Sequence, residues 1–172
     1  STFITKLDPE NAAADIRIFT PEHEMKFAGH PIIGTSWVLM NKVFSNQPTE
    51  ITVSVPIGDI PVHQAGELIW LQAAQPKFLD TFLVEDFVSF SNLKIADFDQ
   101  NFPIQEVSTG SAFVIIPSRN KIALENLVLD LIKMNEWLHG HCKTDHRALY
   151  FYYLEDTVLA SRMFCVENNQ LI

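Results

Sequence analysis

Within Phe27-Ala28-Gly29-His30-Pro31-Ile32-Ile33-Gly34-Thr35, a single histidine stands at the mouth of an apolar segment. Pro31 suits the first turn of a helix, where its missing N–H costs nothing. Ile32, Ile33, Trp37, Val38, Leu39 and Met40 after it are apolar and predict a buried helix. The first backbone N–H groups of such a helix have no intrahelical partners, and Gly29 and Gly34 leave room for close approach. A small carboxylate fits that setting, and the His30 imidazole beside it could move a proton. Placement alone leaves two readings open for His30, a catalytic ring or a core histidine bonded to a carbonyl.

Other residues capable of chemistry are less pointed. His139-Gly140-His141-Cys142 with His146 offers soft ligands, but the spacing matches no common zinc pattern, so no metal is expected. His23-Glu24 and His30 fail the H-E-x-x-H spacing, because the second histidine is seven positions on rather than four. Ser108-Thr109-Gly110-Ser111 lies between apolar runs and reads either as a tight polar turn or as a cradle of hydroxyls and N–H groups for a ligand. Glu22 and Glu24 are solvated acids, unless Glu24 leans toward His30. Arg162 either pairs with a carboxylate or covers a strand edge. Cys165 reads as a small buried hydrophobe rather than a nucleophile.

The elements that must position these groups follow from periodicity. Strands are expected at 2–5, 15–20, 51–55, 60–63 and 68–73, with a turn at 11–14 and a helix over 31–42. A poorly periodic stretch, 80–101, includes a short helix near 83–90. Strands at 105–108 and 112–116 follow, then a helical region over 124–138 broken near Asp130, then strands at 148–153 and 158–165. The second pattern partly repeats the first, which places one lobe at 1–101 and another at 102–172.

The 172 residues, 47% hydrophobic, supply a sizeable core. A formal charge of −9, with 12 scattered Lys and Arg, argues against a nucleic-acid partner. No apolar run approaches the roughly 18 to 20 residues of a membrane span, and two cysteines without motif spacing fit a reducing compartment, so the cytoplasm is expected. The sequence begins without Met inside a strand-like phrase and stops in mid-phrase, as a truncated or processed piece would.

The stretch Asp15-Ile16-Arg17-Ile18-Phe19-Thr20-Pro21-Glu22-His23-Glu24-Met25-Lys26, running on through Phe27-Ala28-Gly29-His30-Pro31-Ile32-Ile33-Gly34-Thr35, resembles the phenazine-biosynthesis isomerase (PhzF-like) family. Ser108-Thr109-Gly110 and Met163-Phe164 resemble its later, weaker signatures. The resemblance implies an α+β, diaminopimelate-epimerase-like fold of two similar lobes, each a sheet wrapped around a central helix, with the active site in the cleft between them. It also implies cofactor-independent proton transfer on a small carboxylic acid, and a homodimer. By position it makes His30 the active-site histidine and places Gly29, Gly34 and Thr35 along the anion-binding helix start. It assigns Ser1, Ser108, Thr109 and Gly110 to substrate binding. The family's acid-base Glu is expected just before Ser1, and its second helix start just after Ile172. Ala28 stands where two-thiol relatives of the fold carry a cysteine, which argues against a paired-thiol mechanism.

Overall fold

The computed structural model describes residues 1–21, 23–142, 148–167 and 170–171. Its chain divides into two compact units, Ser1–Gln75 and Pro76–Ile172.

In the first unit, β1 (Thr2–Asp8) and β2 (Ala13–Phe19) pair antiparallel, with a bulge between Ile4 and Lys6. The connecting turn is held by Asp8, which accepts from the Asn11 backbone and side chain at 3.2 and 2.9 Å. Strict alternation along β2 buries Ala14, Ile16 and Ile18 and turns Arg17 out. A two-residue strand β3 (Glu24–Met25) pairs with the end of β2. Helix α1 (Gly29–Val38) then crosses over to β4 (Glu50–Val55), which lies parallel to β2, as a helical crossover permits. β5 (Gly58–Ala65) and β6 (Leu68–Leu71) complete the order β1-β2-β4-β5-β6. Inward Ile51, Val53, Val55, Ile60 and Val62 meet Ile32, Leu39 and Met40 from the helical segment in one core.

The expected helix over 31–42 starts two residues earlier and changes character at Leu39. There a π-helical turn, Leu39–Val43, carries the chain to Phe44. The expectation of a buried helix holds for one face only. Ile32 and Ser36 are buried, whereas Ile33, Trp37 and Val38 are exposed.

The second unit begins with β7 (Lys77–Phe82) and α2 (Val84–Val88), followed by β8 (Ile104–Ser108), β9 (Ala112–Pro117), α3 (Lys121–Glu125) and α4 (Leu131–His141). β10 (Ala148–Glu155), β11 (Val158–Glu167) and β12 (Gln170–Leu171) close the sheet in the order β12-β11-β10-β9-β8-β7. Asp130 caps α4 by accepting from Lys133 N–H at 3.2 Å, and Asn120 caps α3 through Ala123 N–H at 2.7 Å. The Asp130 cap, after the end of α3 at Glu125, is the physical form of the break expected near Asp130. The core is aromatic: Phe82, Phe87 and Phe90 surround Trp137 with ring centroids 4.9, 4.8 and 5.9 Å away.

The division at 75/76 corrects the expected boundary at 101/102. β7 hydrogen-bonds to β8, and α2 and the turn after it deliver Phe87 and Phe90 into the second core, so residues 76–101 belong with the second unit.

Candidate functional site

Helix α1 opens without a side-chain cap. Ala28 occupies the N-cap position in extended backbone, and no acidic residue lies in the first turn. The positive end of the helix therefore has neither a side-chain cap nor a first-turn carboxylate to compensate it. Its donors are fewer than the sequence suggests. Ile32 N–H already bonds Ala28 O at 3.3 Å, and Pro31 has none, which leaves Gly29 and His30 N–H as the two available donors. Two N–H groups match the two oxygens of one carboxylate.

The His30 ring is exposed and hydrogen-bonds no described residue, so it is not the carbonyl-bonded core histidine of the alternative reading. Gly34 follows by one turn on the same face, and a Cβ at Gly34 or Gly29 would meet nothing within 4 Å. With Ile33 and Trp37 exposed beside it, this face is an apolar shelf flanking the imidazole. Lys42 sets its ammonium 5.6 Å from the Trp37 ring centroid. Thr35 is not brought to this face. Five residues beyond His30 on a helix, it is rotated by about 140° away from the imidazole. Ser1 is fixed by reciprocal bonds with Phe19, its ammonium donating to Phe19 O at 2.7 Å and its carbonyl accepting from Phe19 N–H at 2.8 Å. It thus stands at the strand end from which the chain departs toward α1.

Glu24 does not lean toward His30. Arg17 grips it with two bonds, Nε to Oε1 at 2.8 Å and Nη2 to Oε2 at 2.6 Å, on the outer face of β2. Hydrogen bonding from Arg17 holds the Glu24 carboxyl below its ordinary range, so it serves as a fixed anion rather than a proton acceptor. Glu22 lies outside the described residues.

In the second unit, Ser108, Thr109 and Gly110 form the turn between β8 and β9 and are half-buried. Gly110 has φ +128°, a conformation that side chains resist, and its N–H donates to Ser108 Oγ at 3.2 Å. This hydrogen bond belongs to the tight polar turn, while Thr109 keeps its hydroxyl uncommitted among the described residues.

The zinc reading finds no support among the described residues, which hold no group of three or more metal-ligand side chains. His139 Nδ1 and His141 Nδ1 each pair with the carbonyl one turn back, Asn135 O and Trp137 O, both at 2.8 Å. His141 also stacks on Trp137, and His146 lies outside the described residues. Arg162 meets backbone carbonyls rather than a carboxylate. Cys165 is buried in β11. A carboxylate passed over in the sequence, Glu106, is 1% exposed in β8; its inward register with Ile104 and Ser108 is the signal that could have found it.

No described helix is long and apolar enough to cross a membrane. Comparison with known proteins gives a consistent family. Trans-2,3-dihydro-3-hydroxyanthranilate isomerase of Pseudomonas fluorescens is 35% identical over 124 residues, covering 69% of this chain and 42% of that protein. An uncharacterized isomerase of Bacillus subtilis is 28% identical over 76% of this chain and 45% of its own length. The crystal structure of a PhzF-family phenazine biosynthesis protein from Bacillus anthracis superposes with a TM-score of 0.72 at 25% identity, over 95% of this chain and 56% of that one. A probable proline racemase from Agrobacterium radiobacter shares the fold alone, with a TM-score of 0.59 at 9% identity, over 95% of this chain and 52% of that one. The chain spans about half the length of the curated relatives it matches. The family model described as phenazine biosynthesis-like protein matches residues 1–168, and with these relatives it establishes that the chain belongs to the phenazine biosynthesis-like (PhzC–PhzF) family, with a mixed α+β fold of the diaminopimelate-epimerase and proline-racemase type.

Proposed function

We propose that the protein is an isomerase or epimerase that moves a proton on a small carboxylic acid without a cofactor, with His30 as a proton-transferring residue. The observation that carries this reading is the uncapped start of α1, where two free N–H donors adjoin an exposed imidazole. Gly29 and His30 N–H would bind the substrate carboxylate at the positive end of the helix. Gly34 would keep the approach open, and the Ile33 and Trp37 shelf would receive an apolar ring. His30 would then orient the substrate or return its proton, a contribution of roughly a hundred- to ten-thousandfold. The names of the isomerase relatives support this class of reaction. Ser1, Thr35, Ser108, Thr109 and Gly110 enter the proposal through the family resemblance, as do a homodimer and a cytoplasmic setting. Of these residues, Thr35 faces away from His30 on α1.

Two measurements test the reading. Titration of isotope-labelled protein with anthranilate should move the amide resonances of Gly29, His30 and Gly34 first; shifts confined to other segments would refute the carboxylate site. Incubation with substrate in deuterated water should replace the transferred hydrogen, and His30→Ala should abolish that exchange with the amide spectrum unchanged. Exchange at the parent rate in a folded His30→Ala protein would remove His30 from the mechanism. Carboxylate binding at α1 with no exchange in the parent would assign an acid-binding protein instead.

A further inference from the structure

The face of the first sheet that turns away from α1 carries a row of uncommitted side chains. Glu50 on β4 pairs with His63 on β5, and His63 pairs with Trp70 on β6. Alternation sends all three outward. Ile51 and Val62 beside them are buried on the helix side, whereas Trp70 keeps 53% of its surface in water. The next row is Thr52 and Pro61, joined by Gln72, whose N–H donates to Pro61 O at 2.9 Å. Pro61 has no N–H to return, so the β5–β6 ladder stops at the Val62–Leu71 pair.

The space over this face has a volume of about 700 Å³ and is lined by Glu50, Thr52, Pro61, His63, Trp70 and Gln72. That is the size of a small-ligand site, about 300–1,000 Å³. The side-chain polar atoms of Glu50, Thr52, His63, Trp70 and Gln72 make no hydrogen bond to any described residue, so each is available to a ligand.

The lining chemistry selects among ligand classes. No Lys or Arg lines the groove, so nothing balances a phosphate or sulfate. An organic cation would find one carboxylate, Glu50, two strand spacings or about 10 Å from the indole, too far for a single ammonium to use both. A sugar ring uses everything present. Its C–H face carries the weak positive edges that the indole face attracts. Its hydroxyls both donate and accept, as do Thr52, His63 and Gln72, while Glu50 accepts. We infer that this groove binds a neutral sugar, with one ring stacked on Trp70 and its hydroxyls, or those of a second ring, reaching His63 and Glu50. The site lies on the opposite face of the sheet from α1 and stands independently of the proton-transfer proposal.

Saturation-transfer NMR on the chain as it stands tests the inference, with methyl α-glucoside, methyl β-galactoside, methyl α-mannoside and maltose as probes. Choline and glucose 6-phosphate serve as charged comparators. At least one neutral probe should receive saturation, most strongly at its ring C–H protons, with a dissociation constant of about 1 mM. Trp70→Ala should weaken that probe at least roughly tenfold, and Glu50→Gln a few-fold. Unchanged amide resonances of Ile51 and Val62 would show that the variants remain folded. The inference is overturned if no neutral probe receives saturation at about 10 mM, if choline or glucose 6-phosphate binds more tightly than the sugars, or if folded Trp70→Ala binds as the parent does.

Discussion

Arg162 allows a strong test of how the second unit is held together. Helix α3 is five residues long, so most of its carbonyls have no partner within the helix. Arg162 reaches back from β11 and directs Nη1 at three carbonyls at and just past the C-terminal end of the helix, Leu124 O at 2.9 Å, Glu125 O at 3.1 Å and Leu127 O at 2.9 Å. One guanidinium nitrogen has two hydrogens, so the three acceptors share two charge-assisted bonds, each worth about 1.5–3 kcal/mol. Water can replace part of this at the exposed Glu125 carbonyl, which brings the expected loss to about 2–4 kcal/mol. The guanidinium also lies 4.8 Å from the buried Phe164 ring, which adds roughly 0.5–1 kcal/mol.

Arg162→Met keeps the stem and removes the donors. It should lower the stability of the second unit by about 2.5–5 kcal/mol, on the order of 20 °C in Tm for a domain of this size. Trp137 is the natural reporter, buried in that unit, while the other two tryptophans, Trp37 and Trp70, are exposed in the first. Urea unfolding followed by fluorescence in a Trp37→Phe, Trp70→Phe background therefore reads the second unit alone. Arg162→Lys, with a shorter stem and a compact head, should recover only part of the loss. A loss below about 0.5 kcal/mol for Arg162→Met would refute the clamp and return Arg162 to a surface residue.

Asp130 should make the second unit acid-sensitive. The Lys133 backbone N–H that Asp130 accepts holds its carboxyl below the ordinary value of 3.8. A depressed value in the folded state stabilises above the unfolded value, and this is lost as pH falls through the folded one. The Tm of the parent should therefore drop more steeply below about pH 4 than that of Asp130→Asn, which keeps a capping oxygen but does not titrate; parallel melting curves would exclude the effect. Gly110→Ala should cost about 1–3 kcal/mol by thermal melting, since φ +128° strains any side chain there, and a neutral outcome would mean that the β8–β9 turn relaxes. Phe87→Ala, at a site with no exposure and three aromatic neighbours, should cost about 3–5 kcal/mol and raise Trp137 solvent access; a loss under about 1 kcal/mol would show a core able to collapse.

What could be read from the sequence depended on whether the signal was local. Ile16 and Ile18, or Ile51, Val53 and Val55, alternate against polar neighbours, so their strands and the face each buries were legible. Asp130 marked a helix boundary because capping needs only residues three apart. His30 was legible for the same reason, since the Gly29-His30-Pro31 phrase fixes a helix start within a few positions. β7 was missed because nothing in Lys77–Phe82 alternates: five of its six residues are exposed, and its partner β8 lies beyond α2. The misplaced boundary followed from that one strand. The buried reading of α1 failed because an apolar run names residues that favour burial but not the surface that covers them; the described contacts cover Ile32 and Ser36 and leave Ile33, Trp37 and Val38 open.

The groove on the opposite sheet face shows how far local reading falls short. Glu50, His63 and Trp70 share no motif, and no spacing rule links them. They meet because two antiparallel registers, Glu50 with His63 and His63 with Trp70, happen to align. A slip of one residue in either ladder would send His63 or Trp70 inward to Val62's side and dissolve the row. Sites made by register are therefore invisible until the sheet is known. In this chain, the helix start at Gly29-His30 was legible before the fold, and the row of Glu50, His63 and Trp70 only after it.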